Sequence, residues 1–178
     1  MTDPRVGRVS PGSPRPLRGA GHALGQAGTA RYTAGPMSTI QSTAPGVSMS
    51  ASIAGLSCRL THGPSGAVIA TVPPRDNGGD GSSFSPTDLV GAALASCALS
   101  TMALEAGRQG LSFGDAQATV VKRMTPPPRR IAELVLCFDM PREVRPADRA
   151  RLEEMARTCP VARSLHPEVA LPMEFRYP

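Results

Sequence analysis

The sequence predicts an α+β fold, and three observations carry that prediction. A helical stretch of about 24 residues, opening at Pro86 and closing before Gly110, carries no charge between Leu89 and Leu104, too apolar all round for a surface helix. Runs with β-branched residues flank it: 53–60 and 67–72 before, 116–124 and 130–140 after. A second helical pattern and a closing strand follow. The order β-β-α-β-β-α-α-β segregates helices against antiparallel sheet rather than alternating them one for one.

In chain order, 53–60 and 67–72 read as a hairpin, with Gly63, Pro64, Ser65 and Gly66 as its turn and Pro73-Pro74 stopping the second strand. Residues 75–83, rich in Gly, Asp, Asn and Ser, read as a flexible connection. Ser85 stands at an N-cap, Pro86 at the first helical position and Asp88 three residues after the cap, which is a capping-box pattern; Gly110 closes the helix. This helix is expected at the buried centre of the fold. Alternation in 130–140 puts Ala132, Leu134, Leu136 and Phe138 on one face. Pro126, Pro127 and Pro128 make the connection before it too stiff for a helix. A helix from Pro146 lines up Leu152, Met155 and Cys159. Pro160 breaks it and opens a short third helix to Leu165, and 169–177 closes the chain as a strand.

Composition narrows the function. The chain has 178 residues, 40% hydrophobic but only 3% aromatic and without Trp, so Leu, Val, Ile, Met and Ala must build the core of one domain with an appendage. The uncharged stretch 89–104 is shorter than a spanning helix, which argues against a membrane protein. Residues 1–48 hold 8 Gly, 6 Pro and five Arg against one Asp, a disordered, basic extension ahead of a domain over 49–178. An upstream start codon, with translation from Met37 or Met49, would give the same abrupt change. The extension carries nearly all of the net charge of +5, leaving the domain no basic surplus for nucleic acid. It has neither the apolar run of a secretory signal nor a helix free of Pro and Gly as a transit peptide needs. Cys58, Cys97, Cys137 and Cys159 are widely spaced, without zinc-ligand spacing. A reducing, cytoplasmic setting with no metal and no cofactor is the expectation.

Two cysteines stand out. Cys97 sits within the apolar helix, where a lone Cys ordinarily packs. Cys159 precedes Pro160 at a helix start, where free amides and the helix dipole favour a thiolate. Two inward thiols from two helices are what a two-thiol peroxidase requires: one attacks the peroxide O–O bond, and the other condenses the sulfenic acid to a disulfide. Such a thiolate needs a cation nearby.

Ser85-Pro86-Thr87-Asp88-Leu89, then Gly91-Ala92-Ala93-Leu94-Ala95-Ser96-Cys97, resembles the central-helix motif of the osmotically inducible protein C and organic hydroperoxide resistance (OsmC/Ohr) family. Cys159-Pro160-Val161-Ala162-Arg163-Ser164-Leu165 resembles its second-cysteine motif. The resemblance spans about residues 50–178. It implies antiparallel sheets wrapped around the central helix in an intertwined homodimer, with two active sites at the subunit interface. By it Cys97 is the peroxidatic and Cys159 the resolving cysteine, and Arg59, on the first strand, stabilises the thiolate. The substrate would be an organic hydroperoxide, met by apolar walls that include Phe84, and the reductant an external dithiol or a protein-bound lipoyl group. One position departs from the family pattern: Thr87 stands where peroxidatic members often carry a Glu paired with the arginine. Asp88 beside it is a further candidate, as a catalytic group or as the helix cap. The second reading is a non-enzymatic homodimer that binds an apolar small molecule or senses thiol oxidation. A third has the basic extension tethering the dimer to an acidic partner.

Overall fold

The computed structural model describes residues 46–178. The extension expected over 1–48 therefore lies, but for its last three positions, outside the described residues. The described chain runs β1 (Met49–Ala54), β2 (Ser57–His62), β3 (Val68–Thr71), a 3₁₀ turn (Arg75–Asn77), α1 (Pro86–Arg108), β4 (Gln117–Met124), β5 (Ile131–Asp139), α2 (Pro146–Arg157), α3 (Pro160–Ser164) and β6 (Met173–Arg176). Two three-stranded sheets result, β1-β2-β3 and β4-β5-β6.

The first sheet holds one strand more than the sequence pattern suggests. Ala54 pairs with Ser57, so Gly55 and Leu56 form a two-residue loop. Gly55 takes φ 60° while, among the described residues, no non-glycine residue has positive φ, the signature of a II′ hairpin turn. The hairpin β2–β3 closes at Gly63–Gly66 as the turn residues require, with the His62 N–H donating to Ala67 O at 2.9 Å.

In the second sheet the expected alternation holds, with Leu134, Leu136 and Phe138 fully buried. Phe138 stacks on Phe175 at 4.8 Å between centroids. One pairing is not antiparallel: β6 runs parallel to β5. The intervening chain crosses over through α2 and α3, and a helical crossover returns a strand in the same direction.

Helix α1 packs on this sheet, on α2 and on α3. Gly91 permits the approach, because a Cβ there would fall 3.3 Å from Val120 Cγ1. Leu94, Ala98, Met102 and Ala106 join Leu152, Ala156 and Cys159 in the core. The expectation of a wholly buried helix needs correction: within this chain only 33% of its most apolar 18-residue window is buried, and Leu104 is 63% exposed. Leu94, Ala98, Met102 and Ala106 recur at i, i+4, i+8 and i+12 and, with Gly91 one turn before, form one buried stripe. Among the described residues, most of the rest stays uncovered. By length and composition alone α1 is also apolar enough to cross a membrane, yet that stripe lies in a protein core.

Candidate functional site

Cys159 is the N-cap of α3, with extended dihedrals of φ −60° and ψ 156°, because Pro160 both ends the preceding helical path and pre-sets the next. Its side chain is fully buried. Cys97, half-buried on α1, lies beside it. The structure therefore brings the two sulfurs together as free thiols, and α3 packs on α1 to hold them so. Burial pushes the Cys159 thiol above its ordinary pKa, and the neighbouring Cys97 side chain adds to this. The Ala162 and Val161 amides oppose it. The Cys159 side chain makes no capping hydrogen bond to α3, so these amides act as nearby dipoles favouring the thiolate. On α1, the Thr101 hydroxyl donates to Cys97 O at 2.7 Å, tying the backbone at Cys97 to the next turn.

Asp88 is drawn elsewhere. Its Oδ2 accepts the Ser85 N–H at 2.7 Å, and its own N–H donates to Ser85 Oγ at 3.1 Å, completing the capping box. Its Oδ1 meets Lys122 Nζ at 2.5 Å. Burial pushes the Asp88 carboxyl up, but Lys122 and Ser85 outweigh it, and its pKa settles below the usual value. Asp88 is a cap and an ion-pair partner, and both of its oxygens are committed at the helix start, nine residues before Cys97.

Lys122 is the residue the sequence reading passed over. Its ammonium also donates to Thr87 Oγ1 at 2.7 Å and Ser85 Oγ at 3.1 Å. Ser85 Oγ lies 3.1 Å from Thr87 Oγ1, and either hydroxyl can be the donor. Thr87 thus places a neutral hydroxyl, accepting from Lys122, at the start of α1. A signal for Lys122 existed: in β4, Ala118, Val120, Lys122 and Met124 share the inward parity, and an inward lysine needs a partner.

Arg59 is not brought to the sulfurs within this chain. It is exposed on β2, opposite Ser52 and Ala70, and makes no ion pair or side-chain hydrogen bond among the described residues. Its sheet packs chiefly on itself, leaving Ile53, Leu56 and Ile69 each more than half exposed. Phe84, expected as a wall of the thiol site, also lies elsewhere. It lines an open groove of about 1080 Å³ with Ala92, Ala95, Leu99, Val121 and Lys122. At 100° per residue, Cys97 points about 160° away from Ala95 and Leu99, so the groove and the thiol pair occupy different sides of α1. Glu105, largely buried, pairs with Arg108 on α1 and also bonds Arg151 at 2.6 Å, linking α1 to α2. Among the described residues no cluster of His, Cys, Asp and Glu could hold a metal ion.

The model of the OsmC-like protein family matches residues 79–174. Among solved structures, an osmotic stress induced and detoxification response protein from Psychrobacter arcticus is 31% identical, with a TM-score of 0.70 over 75% of this chain and 99% of that one. An organic hydroperoxide resistance protein OsmC from Legionella pneumophila is 20% identical, with a TM-score of 0.60 over 74% of this chain and 96% of that one. The organic hydroperoxide resistance protein OhrB of Bacillus subtilis is 16% identical, with a TM-score of 0.55 over 74% and 98%. At these identities the last two establish likeness of fold. No curated protein matches the chain.

Proposed function

This chain belongs to the OsmC-like protein family, and from that premise we propose that it is a cysteine-based thiol peroxidase that reduces organic hydroperoxides. The observation that carries the reading is the pairing of half-buried Cys97 with buried Cys159 at the start of α3. The Cys97 thiolate attacks the distal peroxide oxygen, the O–O bond breaks, and the alkoxide leaves as an alcohol after taking a proton. Cys97 is now a sulfenic acid. The Cys159 thiolate attacks that sulfur, hydroxide leaves as water, and a Cys97–Cys159 disulfide remains. An external dithiol, a protein-bound lipoyl group among them, returns two electrons.

The cation this scheme needs is Arg59 of a second copy. Support comes from two uncovered surfaces of one chain: the β1-β2-β3 sheet with exposed Met49, Ile53, Leu56 and Ile69, and the open side of α1 with Phe84, Leu104 and Val121. Exposed apolar side chains in such number mark a surface that another molecule covers. A homodimer in which each first sheet closes over the partner's α1 buries both at once. Thr87 adds the requirement that the arginine be held by some group other than residue 87, since a neutral hydroxyl carries no charge to pair with a guanidinium.

The test is steady-state consumption of cumene hydroperoxide with dihydrolipoamide as reductant. Wild-type protein should turn over, Cys97→Ser should be inactive, and Cys159→Ser should react once and stop as a sulfenic acid. Unchanged consumption by Cys97→Ser would refute the mechanism. Absence of turnover in wild type, with the dimer intact, would favour the ligand-binding or oxidation-sensing reading that Thr87 motivates.

A further inference from the structure

We propose that the reductant enters the catalytic cycle at Cys97 and never at Cys159. This rests on the peroxidase reading above and concerns the step that regenerates the enzyme. A thiolate displaces a disulfide sulfur along the S–S axis, approaching the sulfur it attacks from the side opposite the leaving sulfur, and access therefore selects which of the two is struck. Cys159 is fully buried within a cluster that includes Leu94, Ala98, Leu152 and Ala156. A nucleophile aimed at its sulfur would have to come through close-packed side chains that leave no room for it. Cys97 stands at the rim of the buried stripe of α1. It is only half-buried, and the peroxidase reading already requires a hydroperoxide to reach its sulfur, so the opening that admits the substrate also admits the thiolate of the reductant.

One thiolate of the external dithiol attacks Cys97 Sγ, the Cys97–Cys159 bond breaks, and Cys159 leaves with the electron pair and takes up a proton. The second thiolate of the reductant then attacks the reductant's own sulfur in the mixed disulfide. Cys97 is released as a thiolate and the reductant departs as a disulfide. Two electrons pass from dithiol to protein, and Cys159 bonds to no exogenous group at any point. Hydroperoxide and reductant therefore approach the same sulfur by the same side of α1.

The experiment uses the full chain oxidised with one equivalent of cumene hydroperoxide, with the Cys97–Cys159 bond verified by non-reducing peptide mapping. The oxidised protein is mixed with 2-mercaptoethanol, a monothiol that cannot complete the second displacement, quenched in acid within the first turnover and mapped by mass spectrometry. The mercaptoethanol adduct should sit on Cys97 with at least tenfold preference over Cys159. Equal labelling, or a preference for Cys159, overturns the inference while leaving the peroxidase reading intact. Failure of the Cys97–Cys159 bond to form in the first step overturns both.

Discussion

Lys122→Met offers a test of the helix-start network. The methionine keeps most of the aliphatic stem and removes the ammonium from Asp88 Oδ1, Thr87 Oγ1 and Ser85 Oγ. A fully exposed ion pair contributes about 0–1 kcal/mol, whereas removing one partner of a fully buried pair costs about 3–5 kcal/mol. Here the Lys122 side chain is 15% exposed and that of Asp88 36%, and Asp88 retains the Ser85 amide after the substitution, so solvent screening holds the cost near the lower figure. About 1–2 kcal/mol is expected, a fall in Tm of about 2–8 °C for a chain of this size. Circular dichroism melts at fixed protomer concentration measure it. The pH dependence is the sharper part. Because the Asp88 pKa is lowered in the folded protein, its ion-pair stabilisation is present above the unfolded carboxyl value of about 3.9 and is lost as pH falls through the folded value. The difference between wild type and Lys122→Met should therefore shrink toward pH 3. An equal difference at pH 7 and pH 3 would show that Lys122 stabilises by packing and that the network reasoning is wrong.

Other consequences can be measured as directly. Phe138→Ala removes a fully buried ring stacked on Phe175 and should cost about 3–5 kcal/mol in urea unfolding; a cost under 1 kcal/mol would mean that β5 does not carry the core. The Tyr177 phenol, partly buried and donating to Glu153 Oε1 at 3.1 Å, has its pKa pushed up to about 12. Burial is the main cause, so its stabilisation is complete below pH 10 and lost as pH rises toward 12. Ultraviolet titration of wild type against Tyr177→Phe should show that tyrosinate absorbing last, and ionisation near pH 10 would contradict its placement. The Cys159 thiol also lies above its ordinary pKa, so after a single peroxide turnover the rate of disulfide closure should rise about tenfold per pH unit from pH 6 to 8. A plateau below pH 8 would show an already ionised thiol.

What the sequence discloses here is local. The capping box at Ser85 and Asp88, the inward face of β5 and the restart of helix at Pro160 each depend on residues within four positions of one another, and each is found in place. The two cysteines were legible because each lies in a recognisable local frame, and the packing of α3 on α1 then joins them. Gly55 escaped notice because one glycine inside a strand-like run suffices for a II′ turn. The parallel return of β6 escaped because a crossover through two helices fixes strand direction without a local mark. Lys122 reaches Asp88 across 34 positions of chain, and only the parity of β4 hints at it. Arg59 differs again. Its residue type suits a thiolate cation, but its sheet leaves it exposed on its own chain, so its placement depends on what covers that sheet.

The thiol count after oxidation tests the central claim most directly. Protein treated with one equivalent of cumene hydroperoxide under denaturing quench should lose two of its four thiols per chain, with one equivalent of cumyl alcohol released and Cys97 joined to Cys159 in the peptide map. Retention of all four thiols, or a disulfide that excludes Cys97, would contradict the account.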